Sequence, residues 1–252
     1  MTFIFLFLFG LAVGSFLNVV IDRLALGKSI LIGRSHCDHC KKTLLWYDLI
    51  PVLSFFILGR KCRFCHKKIS WQYPIVENIT GVLFIYTYIL LGFFQLPIII
   101  YHLFLFAGLI AIFFTDLKYR IIPDQILVLL IIIASIYLLL FAKNDIFNHL
   151  FAAAIFFLIF LALVIFTRGR GMGLGDVKFA GVMGFILGTP KIVVAFYLSF
   201  LTGAAFSLIL IVMGKKSMKS TIPFGPFLAV STGVSLLYGD ALWNILRGFI
   251  GL

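Results

Sequence analysis

Eight runs of apolar residues, at about 2–21, 74–92, 97–115, 125–142, 147–166, 176–189, 191–213 and 222–238, are joined by short connections and by one long polar segment, 22–73. A helix that crosses a bilayer needs about 20 predominantly apolar residues, and most of the runs have that length. The chain is 63% hydrophobic and 12% charged, against roughly half and a quarter in a soluble globular domain. A soluble fold of this size could not hide so much apolar surface, and a lipid solvent requires every backbone polar group to be satisfied within a helix or closed barrel. The expected fold is an all-α polytopic membrane protein of about eight transmembrane helices, with a small cytoplasmic four-cysteine zinc-binding insert. Its divisions would be a first transmembrane helix at 1–21, a zinc-binding loop at 22–73 and a multi-helix membrane domain at 74–252. The run 176–189 is short and contains Gly181, Gly184 and Gly188, so a re-entrant segment is the alternative there. The glycine-rich stretches 169–188 and 203–239 allow close helix packing.

Charge fixes the expected direction of insertion. No basic residue precedes the first apolar run and no small-residue cleavage site follows it, so it reads as a retained helix rather than a removable signal. Arg23 and Lys28 come just after it, which places the N-terminus outside and the 22–73 loop in the cytoplasm. That loop holds ten Lys and Arg; the next inner turns hold Lys118 and Arg120, then Arg168, Arg170 and Lys178, then Lys215, Lys216 and Lys219. The outer side holds only Lys143, Lys191 and Arg247. The net charge of +12 is thereby explained as membrane orientation, and nucleic acid is not an expected partner. The lipid bilayer is.

All four cysteines lie in the long loop, as Cys37-Asp38-His39-Cys40 and Cys62-Arg63-Phe64-Cys65. Two CxxC knuckles about twenty residues apart are a four-thiolate zinc pattern, and thiols stay reduced in the cytoplasm. An insert of this size also has too small a core to be secure without a staple. Four thiolates leave no open position on the metal, so zinc here would be structural. Disulfides and free thiols are the alternatives. His36, His39 and His66 flank the knuckles, and the nearby lysines face headgroups or water.

The chain has only nine Asp and Glu, and an acid at the edge of a membrane helix is a functional candidate by default. Asp116 closes the third apolar run, and Asp176 ends Gly171-Met172-Gly173-Leu174-Gly175. Two adjacent carboxylates share a proton, so one serves as base and the other as acid. Such a pair can activate water against a peptide carbonyl, with Gly173 and Gly175 letting an extended substrate approach the backbone. The plainer alternative is that Asp176 caps a helix and Asp116 pairs with a nearby cation. Glu77, Asp124 and Lys178 are further substrate-binding candidates; Glu77 and Asp124 equally suit helix starts. Asp22 and Asp48 are expected to pair with cations. No GxSxG elbow, HExxH helix or Walker loop is present, which removes the usual serine, zinc and nucleotide chemistries. Ion-coupled transport and a non-enzymatic scaffold are competing readings at this stage.

Taken in order, Gly14-Ser15-Phe16-Leu17-Asn18, Arg34-Ser35-His36-Cys37, Trp46-Tyr47-Asp48-Leu49-Ile50-Pro51, the second CxxC, Tyr73-Pro74-Ile75-Val76-Glu77, Asp116 to Ile122-Pro123-Asp124, Gly173-Leu174-Gly175-Asp176-Val177-Lys178 and Ile222-Pro223-Phe224-Gly225-Pro226 resemble the type IV prepilin peptidases nearly end to end. The resemblance implies a membrane aspartic peptidase with Asp116 and Asp176 as its active pair. It implies as substrates type IV prepilins or pseudopilins, cut after a glycine at the cytoplasmic face of the bacterial plasma membrane. It implies too that the new N-terminal residue is methylated with S-adenosylmethionine, since the cysteine loop marks the bifunctional form. No recognisable S-adenosylmethionine loop is present, so those binding residues are unassigned. Asp22 stands before Arg23 where relatives often carry His or Tyr.

Overall fold

In the computed structural model the described residues are 1–30, 32–92, 96–169, 171–215 and 221–250. Arg170, Lys216 and Lys219 of the topology argument lie outside them. The elements are α1 (Thr2–Ala25), a 3₁₀ turn (Trp46–Leu49), α2 (Leu53–Ile57), α3 (Gln72–Leu91), α4 (Leu96–Tyr119), α5 (Asp124–Phe141), a 3₁₀ turn (Lys143–Asp145), α6 (Ile146–Phe166), α7 (Leu174–Leu187), α8 (Lys191–Val212) and α9 (Gly225–Ile250). Every expected apolar run is a helix, and the fold is all-α. Six of the helices (α1, α3, α4, α5, α6 with its preceding turn, and α8) are long and apolar enough to cross a membrane. The chain is a multi-pass membrane protein.

The boundaries move for local reasons. α1 continues past the apolar run to Ala25 because Arg23 is a good helix former and its basic side chain suits a last turn. α9 runs to Ile250, well beyond the apolar stretch that marks its start. Asp116 lies within the last turn of α4 rather than after it.

Two compact units divide within α4: Met1–Ala111 and Ile112–Leu252. In the first, α1 packs along α3, and the cysteine insert connects them. In the second, α7 is packed against α5, α6, α8 and α9. Its buried residues, among them Val177, Phe179, Val182, Met183 and Ile186, cover more than half of its circumference, with exposed Lys178 on the remaining face. So broad an apolar face marks a helix enclosed by its neighbours, and that explains how a 14-residue helix is held where length alone would not let it span. Gly184 permits the close approach of α6: a Cβ there would stand 2.6 Å from the Ala152 carbonyl oxygen. A ladder of aromatic rings ties α6 and α8 to the start of α9, running through Phe160, Phe196, Phe200 and Phe224, with Phe200 and Phe224 centroids 5.1 Å apart. It fixes the backbone just ahead of Gly225.

Candidate active site and metal centre

The second unit brings Asp116 and Asp176 together from opposite directions along the chain. Asp116 comes from the end of α4 and is buried. Asp176 sits in the first turn of α7, and the Asp116 charge is near enough to act on it. Each carboxylate is held by a backbone N–H: Gly225 donates to Asp116 Oδ2 at 2.9 Å, and Gly173 donates to Asp176 Oδ2 at 3.1 Å. The helix-capping alternative for Asp176 thus describes a contact that is present. The ion-pair alternative for Asp116 does not: among the described residues no cation pairs with it, and Arg120 acts on it only from a distance.

Gly225 was not singled out from the sequence. A Cβ at this position would lie 2.6 Å from Asp116 Oδ2 and 2.9 Å from its Cγ, so only glycine lets the first residue of α9 donate its N–H this closely. The available signal was its place between Pro223 and Pro226 at the start of an apolar run, a pattern of helix initiation with constrained backbone.

The other candidates each have partners of their own. Gly175 faces Ile122, its would-be Cβ 3.4 Å from the Ile122 Cβ, so it packs the start of α7 on the α4–α5 connection. Lys178 Nζ reaches both oxygens of Asp124, at 2.9 and 2.8 Å, joining α7 to the first turn of α5. Both side chains are largely exposed. Glu77 belongs to the first unit. It is buried in α3, where it accepts the Val52 N–H at 2.7 Å and a hydrogen bond from the Ser15 side chain. Asp48 pairs with Arg63, whose Nε and Nη2 lie 2.9 and 2.7 Å from one carboxylate oxygen. Asp22 accepts from the Tyr73 hydroxyl at 3.1 Å.

The four cysteines converge. Their sulfurs all lie within 4.8 Å of one another, with Cys37–Cys65 at 3.8 Å and Cys40–Cys62 at 4.0 Å. A disulfide would require about 2.05 Å; four thiolates about 2.3 Å from a tetrahedral zinc stand roughly 3.8 Å apart. The two knuckles are built alike. Cys37 N–H donates to Lys42 O and Lys41 N–H to Cys37 O; Cys62 N–H donates to Lys67 O and His66 N–H to Cys62 O. Lys41 and His66 both take positive φ to close these turns. The Cys65 N–H, opposed by burial and helped by the Phe64 N–H, pulls the Cys62 thiol down to about 7. Cys65 is pulled down by the Lys67 N–H, but burial and the sulfurs of Cys62, Cys40 and Cys37 outweigh it and push that thiol up to about 11. Ionising all four thiols at this spacing calls for a cation among them. The donor set and its geometry fit zinc.

The chain is similar to known proteins along nearly its whole length. Residues 8–91 match the model of the bacterial peptidase A24 N-terminal domain, and residues 103–208 match that of the type IV leader peptidase family. The chain is 33% identical to the prepilin leader peptidase/N-methyltransferase of Bacillus subtilis, covering 94% of each protein. It is 30% identical to the protein of that name from Aeromonas hydrophila, over 95% of this chain and 92% of the relative. For the Pseudomonas aeruginosa protein of that name the identity is again 30%, over 97% and 93%. No solved structure matches the chain.

Proposed function

Because the chain belongs to the type IV leader peptidase family, we propose that it cleaves the basic leader from type IV prepilins or pseudopilins and methylates the amine so released. The observation that carries the hydrolytic half is the pairing of two carboxylates from separate helices, each steadied by a glycine N–H. One carboxylate takes a proton from water as the water oxygen bonds to the scissile carbonyl carbon. The other, protonated, gives its proton to the carbonyl oxygen. On collapse the C–N bond breaks, the first carboxylate gives the departing amine nitrogen the proton it took from water, and a hydroxyl of the tetrahedral intermediate returns its proton to the second. Asp116 and Asp176 are the catalytic pair in this reading. The backbone at Gly173 and Gly175 and the exposed Asp124–Lys178 pair face the leader. Glu77, already engaged by Val52 and Ser15, anchors the insert.

Zinc, held by Cys37, Cys40, Cys62 and Cys65, is structural in this reading, and the four-sulfur geometry supports it. When bound, S-adenosylmethionine supplies the methyl group to the new N-terminal amine. The excess of Lys and Arg on the insert side supports an N-terminus outside and an active site at the cytoplasmic face of the plasma membrane. The scissile bond of a prepilin, between a basic leader and an apolar helix, would arrive at that face. Transport and scaffold readings are not favoured, since relatives covered along nearly their whole length carry the peptidase and methyltransferase name.

The test is cleavage of a co-expressed prepilin by wild type, Asp116→Asn and Asp176→Asn, read as mass with the methyl group resolved. Loss of the leader in wild type alone, with both variants folded, supports the pair. Cleavage by the variants at the wild-type rate removes it.

A further inference from the structure

The polar segment between α1 and α3 carries an unexpected amount of uncovered apolar surface. Trp46 is 76% exposed, Leu53 54%, Phe56 60% and Ile57 71%. These side chains come from the 3₁₀ turn and α2, which follow one another directly. A contiguous apolar face of this kind on a small insert marks an interaction surface.

A single hydrogen bond fixes the depth at which this surface lies. Val52, just ahead of α2, donates its N–H to Glu77. Glu77 is five residues into α3, which starts at Gln72. At 1.5 Å per residue that is about 7–8 Å along the helix from its first residue, comparable with the thickness of one headgroup layer. Ring contacts tie α2 to the start of the same helix: Phe55 and Phe56 lie 5.1 and 6.5 Å from Trp71, the residue before α3. Residues 46–57 therefore form a hook that folds back onto the first turns of a membrane helix.

Its chemistry fits that depth. Tryptophan and tyrosine favour the membrane–water boundary, and basic side chains next to them favour anionic headgroups. Here Arg60 lies 5.2 Å over the Trp71 ring, Arg63, paired with Asp48, lies 4.9 Å over Tyr47, and Lys61, Lys67 and Lys68 are close by in the sequence.

We propose that the hook formed by residues 46–57 is embedded in the headgroup layer of an anionic membrane, with Trp46, Leu53, Phe56 and Ile57 resting on lipid and the flanking Arg and Lys on phosphate. The hook is then an interfacial anchor that holds the cysteine knuckles at the bilayer surface. This inference needs the multi-pass fold and not the peptidase reading, so either can fail alone.

The test uses the full chain carrying Trp71→Phe and Trp243→Phe, which leaves Trp46 as its one tryptophan and keeps a ring at position 71. It is reconstituted into phosphatidylcholine vesicles with and without phosphatidylglycerol, the lipids carrying bromine at shallow or deep acyl positions. The expected result is loss of Trp46 emission with shallow bromines, less with deep ones, little quenching by aqueous acrylamide, and stronger lipid quenching when phosphatidylglycerol is present. A second variant, Phe56→Asp with Ile57→Asp, should shift quenching from lipid to acrylamide. Circular dichroism and an unchanged gel-filtration profile check that each variant is folded. Full acrylamide quenching without lipid quenching overturns the proposal. Acrylamide quenching that an added uncleaved prepilin relieves also overturns it and makes the face a substrate surface. Lipid quenching indifferent to phosphatidylglycerol overturns the assignment of the basic residues to anionic lipid.

Discussion

Replacing Gly225 by alanine tests the active-site geometry more sharply than removing either aspartate. The added methyl would stand 2.6 Å from Asp116 Oδ2 and 2.9 Å from its Cγ. Ordinary contact requires more than 3 Å, so either the carboxylate or the start of α9 must move by about 0.5–1 Å. The aromatic ladder holds Phe224 in place, so the carboxylate is the part that yields. Its 2.9 Å bond from the Gly225 N–H lengthens with it. Misplacement of a reacting group by about 1 Å costs roughly 10²-fold in rate, or about 2.7 kcal/mol of barrier. Fold stability should change little, because alanine is favoured over glycine in a helix by about 1 kcal/mol. The assay is single-turnover cleavage of a purified prepilin in detergent, with circular dichroism as the fold control and methylation of a pre-cleaved pilin as the activity control. A variant that is folded and cleaves at the wild-type rate would refute the claim that Asp116 must occupy this position.

Three further outcomes follow from the same structure. Metal analysis of the purified chain should give one zinc, and Cys37→Ser or chelation should loosen the insert and lower methylation at least as much as cleavage; a metal-free, fully active protein rules this out. Val52 has φ 62 and ψ −51, and the Leu53 N–H closes a three-residue turn onto Pro51 O at 2.5 Å. A β-branched residue in this region stores about 1–3 kcal/mol, so Val52→Gly should slow proteolysis of the insert, and faster proteolysis contradicts the strain. The Lys178–Asp124 pair is exposed, and such pairs contribute under about 1 kcal/mol. Lys178→Ala should accordingly leave thermal stability unchanged while raising KM for the prepilin; an unchanged KM removes the pair from leader recognition.

Much of the fold was legible because its causes are local. Apolar length marks a membrane helix wherever it occurs, so the eight runs were visible with errors only at ends such as Ala25 and Ile250, where polar residues extend a helix. The cysteine site was legible for the same reason: two CxxC turns state their ligand chemistry within four residues each. The carboxylate pair was less so. Asp116 and Asp176 are sixty positions apart in the numbering, and nothing in either segment says that the other is near. Their place at helix edges singled the two out but left capping and ion-pair roles open, and the resemblance implied that they act as a pair.

The sequence by itself determined the lipid solvent, the helical class, the charge asymmetry and the four-cysteine pattern, since each depends on residue type and short-range spacing. Only the tertiary structure decided that Gly225 N–H holds Asp116, that Glu77 serves the Val52 turn, that the short α7 is enclosed by four helices, and that the hook lies against the first turns of α3. Those are contacts between residues distant in the chain. Their energies depend on which surfaces meet, and that is settled by packing the whole set of helices rather than by any segment alone.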